Sequence, residues 1–467
     1  MSDKNNMDKD AYIKQLEDRI IQLEKRIEEL ERLLGMNSRN SSKPPSSDTP
    51  GMSSNEQPRH RRKKRGARNG HQPHLRELMP EKFVKKHIYL KPQACTCGST
   101  NLEETDQEPL RHQVVDIPPI EPQVTEYIQH LFRCKDCGEL IYQPLSDDVK
   151  RKHFGPGVLA IVAVLTGMLN ISKRKALAMM NQVFSVPMSL GGLSNCEAQL
   201  VDVLEQPYNE VAQHIREQQA AHADETGWPR GNRQKGWLWT LCCSTAAFFM
   251  VHAHRGQDAA QKLLGTFAGV LHCDRWSGYN CFDGLRQLCW AHLKRDFKAL
   301  SERKGTIGEI GEELFQLAKH ILSLRKRVRD GTLTWQTFQR RMEPLMKRTE
   351  ELLADGANCG QTLSGRCRRI LNLREHLWTF VQDARIEPTN NLAERIVRQG
   401  VLWRKGSFGT QSERGGHYVE RILTVCATCR LQGRSVIEYL RDVCHCHLND
   451  IAVPSLINPE GGLNNSA

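Results

Sequence analysis

A strict heptad opens the chain. Ile13, Leu16, Ile20, Leu23, Ile27, Leu30 and Leu34 follow one another at alternating spacings of three and four. That period of 3.5 is the one adopted by helices that wind around each other. Ile13, Ile20, Ile27 and Leu34 take the a positions, and Leu16, Leu23 and Leu30 take d. Ile at a with Leu at d favours two parallel strands. Arg19 and Arg26 at g face Glu24 and Glu31 at the following e positions, which complements such a pairing. The spacing predicts a parallel coiled coil over 10–35, ended by Gly35, and self-association as a homodimer or higher assembly. A heteromeric coil fits the same residues. The plainer alternative is one amphipathic helix docked on its own domain.

Residues 36–58 are rich in Ser, Pro and Asn and read as linker. A basic run follows, so that 36–79 is predicted to be a flexible linker carrying a DNA-binding stretch. Seven of the ten residues from Arg59 to Arg68 are basic: Arg59, Arg61, Arg62, Lys63, Lys64, Arg65 and Arg68. A solvated charged loop is the bland reading. Like charges at this density repel unless a polyanion neutralises them. With 66 Lys and Arg against 54 Asp and Glu, a formal charge of +12, the polyanion is most simply nucleic acid.

The chain of 467 residues is long enough for about three domains. Its longest apolar stretch, Val158 to Leu169, falls short of the roughly 20 residues that span a bilayer. The charged N-terminus carries no apolar signal region. The expectation is a cytoplasmic, nucleoid-associated protein with no membrane partner. In that reducing compartment the sixteen cysteines read as thiols or metal ligands before disulfides.

Cys95-x-Cys97 and Cys134-x2-Cys137 stand 36 residues apart, each pair followed by Gly (Gly98, Gly138). Two such turns supply four thiolates for a closed, structural Zn²⁺ site in a zinc-binding segment over 80–150. The Gly permits a sharp turn close to sulfur. Short strands are predicted through 80–145. Cys426, Cys429, Cys444, His445, Cys446 and His447 form a weaker metal candidate; Cys426 and Cys429, one turn apart on an apolar helix, read more simply as core thiols. Cys289 and His292 read as the end of a strand and the first turn of a helix, with a ligand pair as the alternative.

Residues 154–205 pattern as three short helices, Val158–Leu169, Lys173–Phe184 and Ser189–Leu204, with Lys173, Arg174 and Lys175 at one turn. A helix-turn-helix-like DNA-binding unit and an ordinary three-helix element fit equally. Strands are predicted at Gly236–Cys242, Ala246–Ala253 and Gly269–Cys273 within 218–300. Helices interrupt over 301–382, one of them about Thr334–Leu353. The remainder, 383–450, ends in helices.

Asp224, in QQAAHADETGWPR, precedes the Trp-rich strand. Asp274 follows the apolar strand Gly269–Cys273, and so belongs at the end of a sheet. Glu394 lies in a helix beginning at PTNN, flanked by Arg395 and Arg398. Carboxylates converging from separate elements suit phosphoryl transfer with two divalent ions, and hard oxygen donors select Mg²⁺ or Mn²⁺. The spacing alone makes this plausible and no more. Glu387 is the rival third carboxylate; Glu394 is preferred because it lies inside the helix that Pro388 announces.

The strings ADETGW, CDRWSGY, QLCWAHLKRDF, EPTNNLAERIVR and SFGTQSERGG occur here together. They share the chain with N-terminal heptads leading into NSRNSSKPPSSD and with the basic RRKKRGARNGHQ. From about residue 13 to 445 the sequence resembles the large, TnpC-type transposase subunit of the insertion-sequence family numbered sixty-six. The resemblance implies an α+β multidomain protein: coiled coil, zinc-binding segment, and an RNase H-like α/β catalytic domain with a helical insertion before its Glu. It implies a DDE triad matching Asp224, Asp274 and Glu394, and cutting and joining of double-stranded DNA at element ends and target, with accessory proteins as further candidates. The first Cys pair, C-x-C, and the short GNRQKG segment after Asp224 depart from the family pattern. Water would attack the phosphodiester and the freed 3′-OH would attack target DNA. Arg395, Arg398, Arg404 and Lys405 would hold the backbone, and Trp403 would either stack at a strand end or sit in the core. The rivals are a catalytically inactive zinc and coiled-coil DNA-binding regulator, and a nuclease that cleaves without joining.

Overall fold

The structure, a computed structural model, describes residues 3–37, 40–41, 76–151, 153–231, 234–359 and 361–457. The basic run at 59–68 lies outside them. The chain divides into two compact units, 51–122 and the remainder. No helix among the described residues is long and apolar enough to cross a membrane.

In the smaller unit, Cys95 to Ser99 form a tight turn. Gly98 N–H donates to Cys95 O and Cys95 N–H to Ser99 O, each at 2.8 Å. Gly98 turns at φ +89°, a backbone that favours glycine.

In the larger unit, α1 (Asp3–Leu34) is one continuous helix. Its heptad residues face solvent, Ile20 and Ile27 being 55% and 54% exposed. β1 (Leu131–Arg133) pairs antiparallel with β2 (Leu140–Tyr142). The second cysteine pair occupies the turn between them, where Gly138 (φ +77°) donates to Cys134 O at 3.0 Å. The sequence predicted strands through 80–145. Among the described residues only β1 and β2 form there, because Pro92, Pro109, Pro118, Pro119 and Pro122 remove ladder donors upstream.

A helical layer comes next: α2 (Asp147–Arg151), α3 (Pro156–Ala163), α4 (Lys173–Gln182), α5 (Leu190–Val203) and α6 (Glu205–Arg216). Lys173 on α4 pairs with Glu197 on α5 at 2.5 Å, while Arg174 and Lys175 stay exposed. The sheet elements are β3 (Ala220–Gly227), β4 (Trp237–Cys242), β5 (Ala247–His252), α7 (Gln257–Leu264), β6 (Val270–Cys273) and β7 (Arg286–Leu288). They are followed by α8 (Trp290–Ser301), α9 (Thr306–Arg329), α10 (Trp335–Asn358), α11 (Gln361–Leu371) and α12 (Thr379–Gln382). The chain closes with α13 (Asn391–Ser407), α14 (Glu413–Leu431) and α15 (Val436–Leu448).

The five strands run in the order β5-β4-β3-β6-β7. β3, β4 and β5 form an antiparallel meander, whereas β6 and β7 lie parallel to β3. A parallel neighbour needs a crossover, and α7 supplies it, burying Ala259, Ala260, Leu263 and Leu264. The hydrophobic pattern did not single out α6, α7 or β3. β3 reads AAHADETG, with little of the branched or aromatic content that marks a strand. Pairing on both sides makes it the central strand. Its small Ala221 and Ala223 are buried, and α13 packs over it and β4. Gly400 lets that helix close on the sheet: a Cβ there would collide with Leu238 Cδ2.

Both sheet edges are covered, which denies them to other chains. On α14, three buried side chains one turn apart accept the free N–H groups of β5. Glu420 takes Val251 (2.5 Å), Thr424 takes Phe249 (3.1 Å) and Thr428 takes Ala247 (3.1 Å). At the other edge, Thr379 Oγ1 donates to Arg286 O at 2.6 Å, and Gln287 Oε1 accepts Phe380 N–H at 2.7 Å.

Candidate active site

Asp224 and Asp274 meet through strand register. Parallel pairing sets His222 of β3 beside His272 of β6. Two residues further, on the same faces by the period-two pleat, the register brings Asp224 abreast of Asp274, the first residue beyond β6. Asp224 Oδ1 accepts Glu225 N–H at 2.9 Å, and Asp274 Oδ1 accepts Trp276 N–H at 2.9 Å.

Glu394 comes from the first turn of α13, and Asn390 fixes that helix start. Its Nδ2 donates to Ala223 O (2.7 Å), its Oδ1 meets His222 Nδ1 (3.1 Å), and its backbone N–H donates to Cys289 Sγ (3.1 Å). Trp290 N–H donates to Pro388 O at 2.9 Å. One buried amide thus ties together the strand of Asp224, the start of α8 and the helix of Glu394. In the sequence Asn390 is simply one residue of the PTNN helix start. Its full conversion to an inward hub is a tertiary fact.

The three carboxylates act on one another. Burial holds the Asp224 carboxyl well above the ordinary range, and Glu225, Asp274 and Glu394 add repulsion. Burial raises Asp274 too, against the pull of Trp276 N–H, Arg255 and Arg275. It also raises Glu394, which Arg295 lowers and Asp274 raises further. Glu394 Oε1 is shielded from water and has no hydrogen-bond partner. Among the described residues, Cys289, His292 and Glu394 form a tight group whose ligand-type atoms lie within 4.8 Å of one another. Asp224 and Asp274 fall outside that group. Hard oxygen donors, an unsatisfied buried one among them, fit Mg²⁺ or Mn²⁺.

These raised values set a pH dependence. A carboxyl raised on folding contributes stability that is complete below the ordinary range of about 4 and is lost as pH rises through the folded value. These carboxyls repel one another as they ionise with rising pH, and a divalent cation would offset that repulsion. Mn²⁺ is therefore expected to raise the thermal midpoint more at pH 7.5 than at pH 5. An equal rise at both, by calorimetry, would refute the coupling.

The remaining predicted residues fall into place as follows. Glu387 is ion-paired with Arg325 of α9 at 3.3 Å. Arg395, Arg398 and Lys405 are exposed on α13. Arg404, half-buried, donates to Thr226 Oγ1 (3.1 Å) and to the Gly227 carbonyl. Trp403 is 8% exposed and packs edge-on against Trp228 and Tyr418, so the core reading of that residue is the one the structure supports. Cys426, Cys429 and Cys444 are buried. Arg59, Arg61, Arg62, Lys63, Lys64 and Arg65 lie outside the described residues.

Sequence reasoning did not find the basic cavity beside Asp274. Its volume is about 550 Å³, and Arg255, Arg275, Arg295, Arg366 and Arg369 line it together with His292 and Asp274. Arg366 and Arg369 come from α11 in the helical block. Arg275 pairs with Asp296. Arg255 lies between the Trp237 and Trp276 rings (4.9 and 4.6 Å from their centroids) and binds Glu225 at 2.6 Å. Tyr279 OH donates to Glu225 at 2.6 Å, so Tyr279 and Arg255 both hold Glu225, whose charge still bears on Asp224. His292 is pushed down to about 3 by burial, with Arg295 and Arg275 adding to the effect.

The cysteine turns are suited to thiolates. Cys95 is drawn below its ordinary value first by the Cys97 backbone N–H. Cys134 is drawn down by the backbone N–H groups of Cys137 and Asp136.

The mixed sheet thus carries two half-buried acids on neighbouring parallel strands, beside a cavity walled by arginines. Residues 151–418, more than half of the chain, match the family described as Transposase IS66 family, and the chain belongs to that family. Residues 92–138, which hold both cysteine pairs, match the zinc-finger binding domain of transposase IS66. Residues 2–77 match a family of unknown function. Three relatives come from Sinorhizobium fredii. The uncharacterized protein y4hP is 24% identical over 422 residues, 79% of this chain and 73% of its own. The uncharacterized protein y4jD is 24% identical over 407 residues, 78% and 77%. The uncharacterized protein y4qI is 27% identical over 263 residues, 49% and 48%.

Proposed function

We propose that the chain is a DDE-type polynucleotidyl transferase that cleaves DNA at the ends of an insertion sequence and joins them to target DNA. The observation that carries this reading is the convergence of Asp224, Asp274 and Glu394 from two parallel strands and a helix start, in mutual repulsion beside an arginine-lined cavity. The three would hold Mg²⁺ or Mn²⁺. When bound, the ions activate the attacking oxygen and stabilise the departing one. The chain's own residues supply the rest: Asn390 aligns the acids, the cavity arginines hold the scissile and flanking phosphates, and exposed Arg395, Arg398 and Lys405 hold the backbone beyond. Strand order and direction, with helices α9 to α11 placed before Glu394, favour an RNase H-like catalytic domain split into 218–300 and 383–450 around the insertion 301–382.

In this reading 10–35 is a dimerising coiled coil, 36–79 a linker with DNA-binding run, and 80–150 a zinc domain in which Cys95, Cys97, Cys134 and Cys137 hold one Zn²⁺. The helices of 154–205 add an HTH-like DNA contact. Placing Leu23→Asp at a central d position is expected to convert a dimer to a monomer by light scattering with the far-UV spectrum retained. A wild-type protein already monomeric at micromolar concentration would refute the coil.

The direct test is incubation of the full chain with DNA carrying the element's own ends. Nicking at those ends with Mg²⁺ or Mn²⁺, followed by joining, is the expected result. Tight binding with no nicking under either metal overturns the enzyme reading.

A further inference from the structure

His292 occupies the first turn of α8 and lines the same cavity as Asp274. Its Nδ1 lies 3.4 Å from Glu394 Oε1. Both atoms are shielded from water, and neither has a hydrogen-bond partner. With Nδ1 in its unprotonated form, two lone-pair atoms buried 3.4 Å apart call for an electropositive centre between them. Arg295 does not supply it: its Nη2 stands 3.9 Å from that oxygen, beyond hydrogen-bond reach. Two donors at right angles on an octahedral ion, each about 2.1 Å from it, stand about 3.0 Å apart. The spacing seen here is within a few tenths of an ångström of that value.

We propose that His292 Nδ1 is a ligand of the divalent cation held by Glu394, so that this end of the site is a mixed nitrogen and oxygen shell rather than an all-carboxylate one. The inference rests on the reading of Asp224, Asp274 and Glu394 as a cation site. Cys289, the third member of the tight group, stays outside the shell. Its Sγ already accepts Asn390 N–H, and sulfur ligands suit softer ions than Mg²⁺ or Mn²⁺. Cys289 positions the α8 and α13 starts so that His292 and Glu394 face each other. An imidazole nitrogen also shifts preference from Mg²⁺ toward Mn²⁺, which ranks above Mg²⁺ for nitrogen donors.

The test is a Mn²⁺ titration of the full-length protein, without DNA, followed by electron paramagnetic resonance and pulsed detection of ¹⁴N coupling to the bound ion. The expected result is a ¹⁴N signal in the wild type that changes to a ¹⁵N signal when only histidine is ¹⁵N-labelled. The signal should persist in Cys289→Ser and vanish in His292→Gln and His292→Asn, checked for wild-type circular dichroism. Mn²⁺ affinity should fall about tenfold or more in both histidine variants, and their Mn²⁺-over-Mg²⁺ preference should narrow. Bound Mn²⁺ without nitrogen coupling in the wild type, or coupling that survives in both folded histidine variants, overturns the role of His292 and leaves the carboxylate site standing. No Mn²⁺ bound by the wild type overturns both.

Discussion

Asp274→Asn is expected to leave DNA binding intact while slowing nicking at the element ends at least about 10³-fold, the loss of roughly 4 kcal/mol of transition-state stabilisation. Asparagine keeps the shape of Asp274 and an oxygen to accept Trp276 N–H. It removes only the charge that would hold a cation. The same change relieves repulsion among half-buried acids, because Asp274 pushes up both Asp224 and Glu394. The metal-free variant should therefore melt no lower than the wild type. Quenched-flow or gel assays of nicking, a binding isotherm and a melting curve together separate the cases. Nicking within tenfold of wild type sinks the assignment of Asp274. Lost nicking with a lowered melting point would mean that the residue is structural.

Thr424→Val is expected to cost about 1–3 kcal/mol. That corresponds to a fall in melting temperature of several degrees for a domain of this size. Thr424 is fully buried, and its Oγ1 accepts the N–H of Phe249 on the edge strand β5. Valine fills nearly the same volume but leaves that donor buried and unsatisfied. Thr424→Ser retains the oxygen and should recover most of the loss, the remainder reflecting the missing methyl group. A valine variant as stable as the wild type would show that the edge of β5 is satisfied by water rather than by α14. Glu420 and Thr428 do the same for Val251 and Ala247, so the three sites should couple rather than add.

This ladder shows why the sequence was a partial guide. ERILTVCATC reads as an apolar helix with a few polar interruptions, and nothing local says that Glu420, Thr424 and Thr428 point inward. Their spacing of four places them on one face. That the face meets the free N–H groups of a strand more than 160 residues earlier is settled only by packing. The candidate site divides in the same way. Asp274 was placed at a sheet end because an apolar run precedes it, and Glu394 was placed in a helix because Pro388 announces one. Asp224 was recognised through the motif around it, since the strand that carries it is too small and polar to announce itself. Arg366 and Arg369 lie on a helix that sequence treats as an insertion, far from any acid along the chain. Only the fold brings them to Asp274.

What the sequence determined by itself is whatever short-range chemistry dictates: the 3.5-residue period of α1, the glycine after each cysteine pair, the helices within 301–382, the strands β4, β5 and β6, and membership of a transposase family. What the tertiary structure decided is everything that depends on contacts between distant segments. β3 is a strand because β4 and β6 satisfy its backbone on both sides. Asp224 stands beside Asp274 because a parallel register aligns them, and Asn390 locks Glu394 against that pair because its amide finds partners on β3. Periodicity and turn chemistry act within a few residues. Register, burial and charge repulsion act between segments that meet only once the chain has closed on itself.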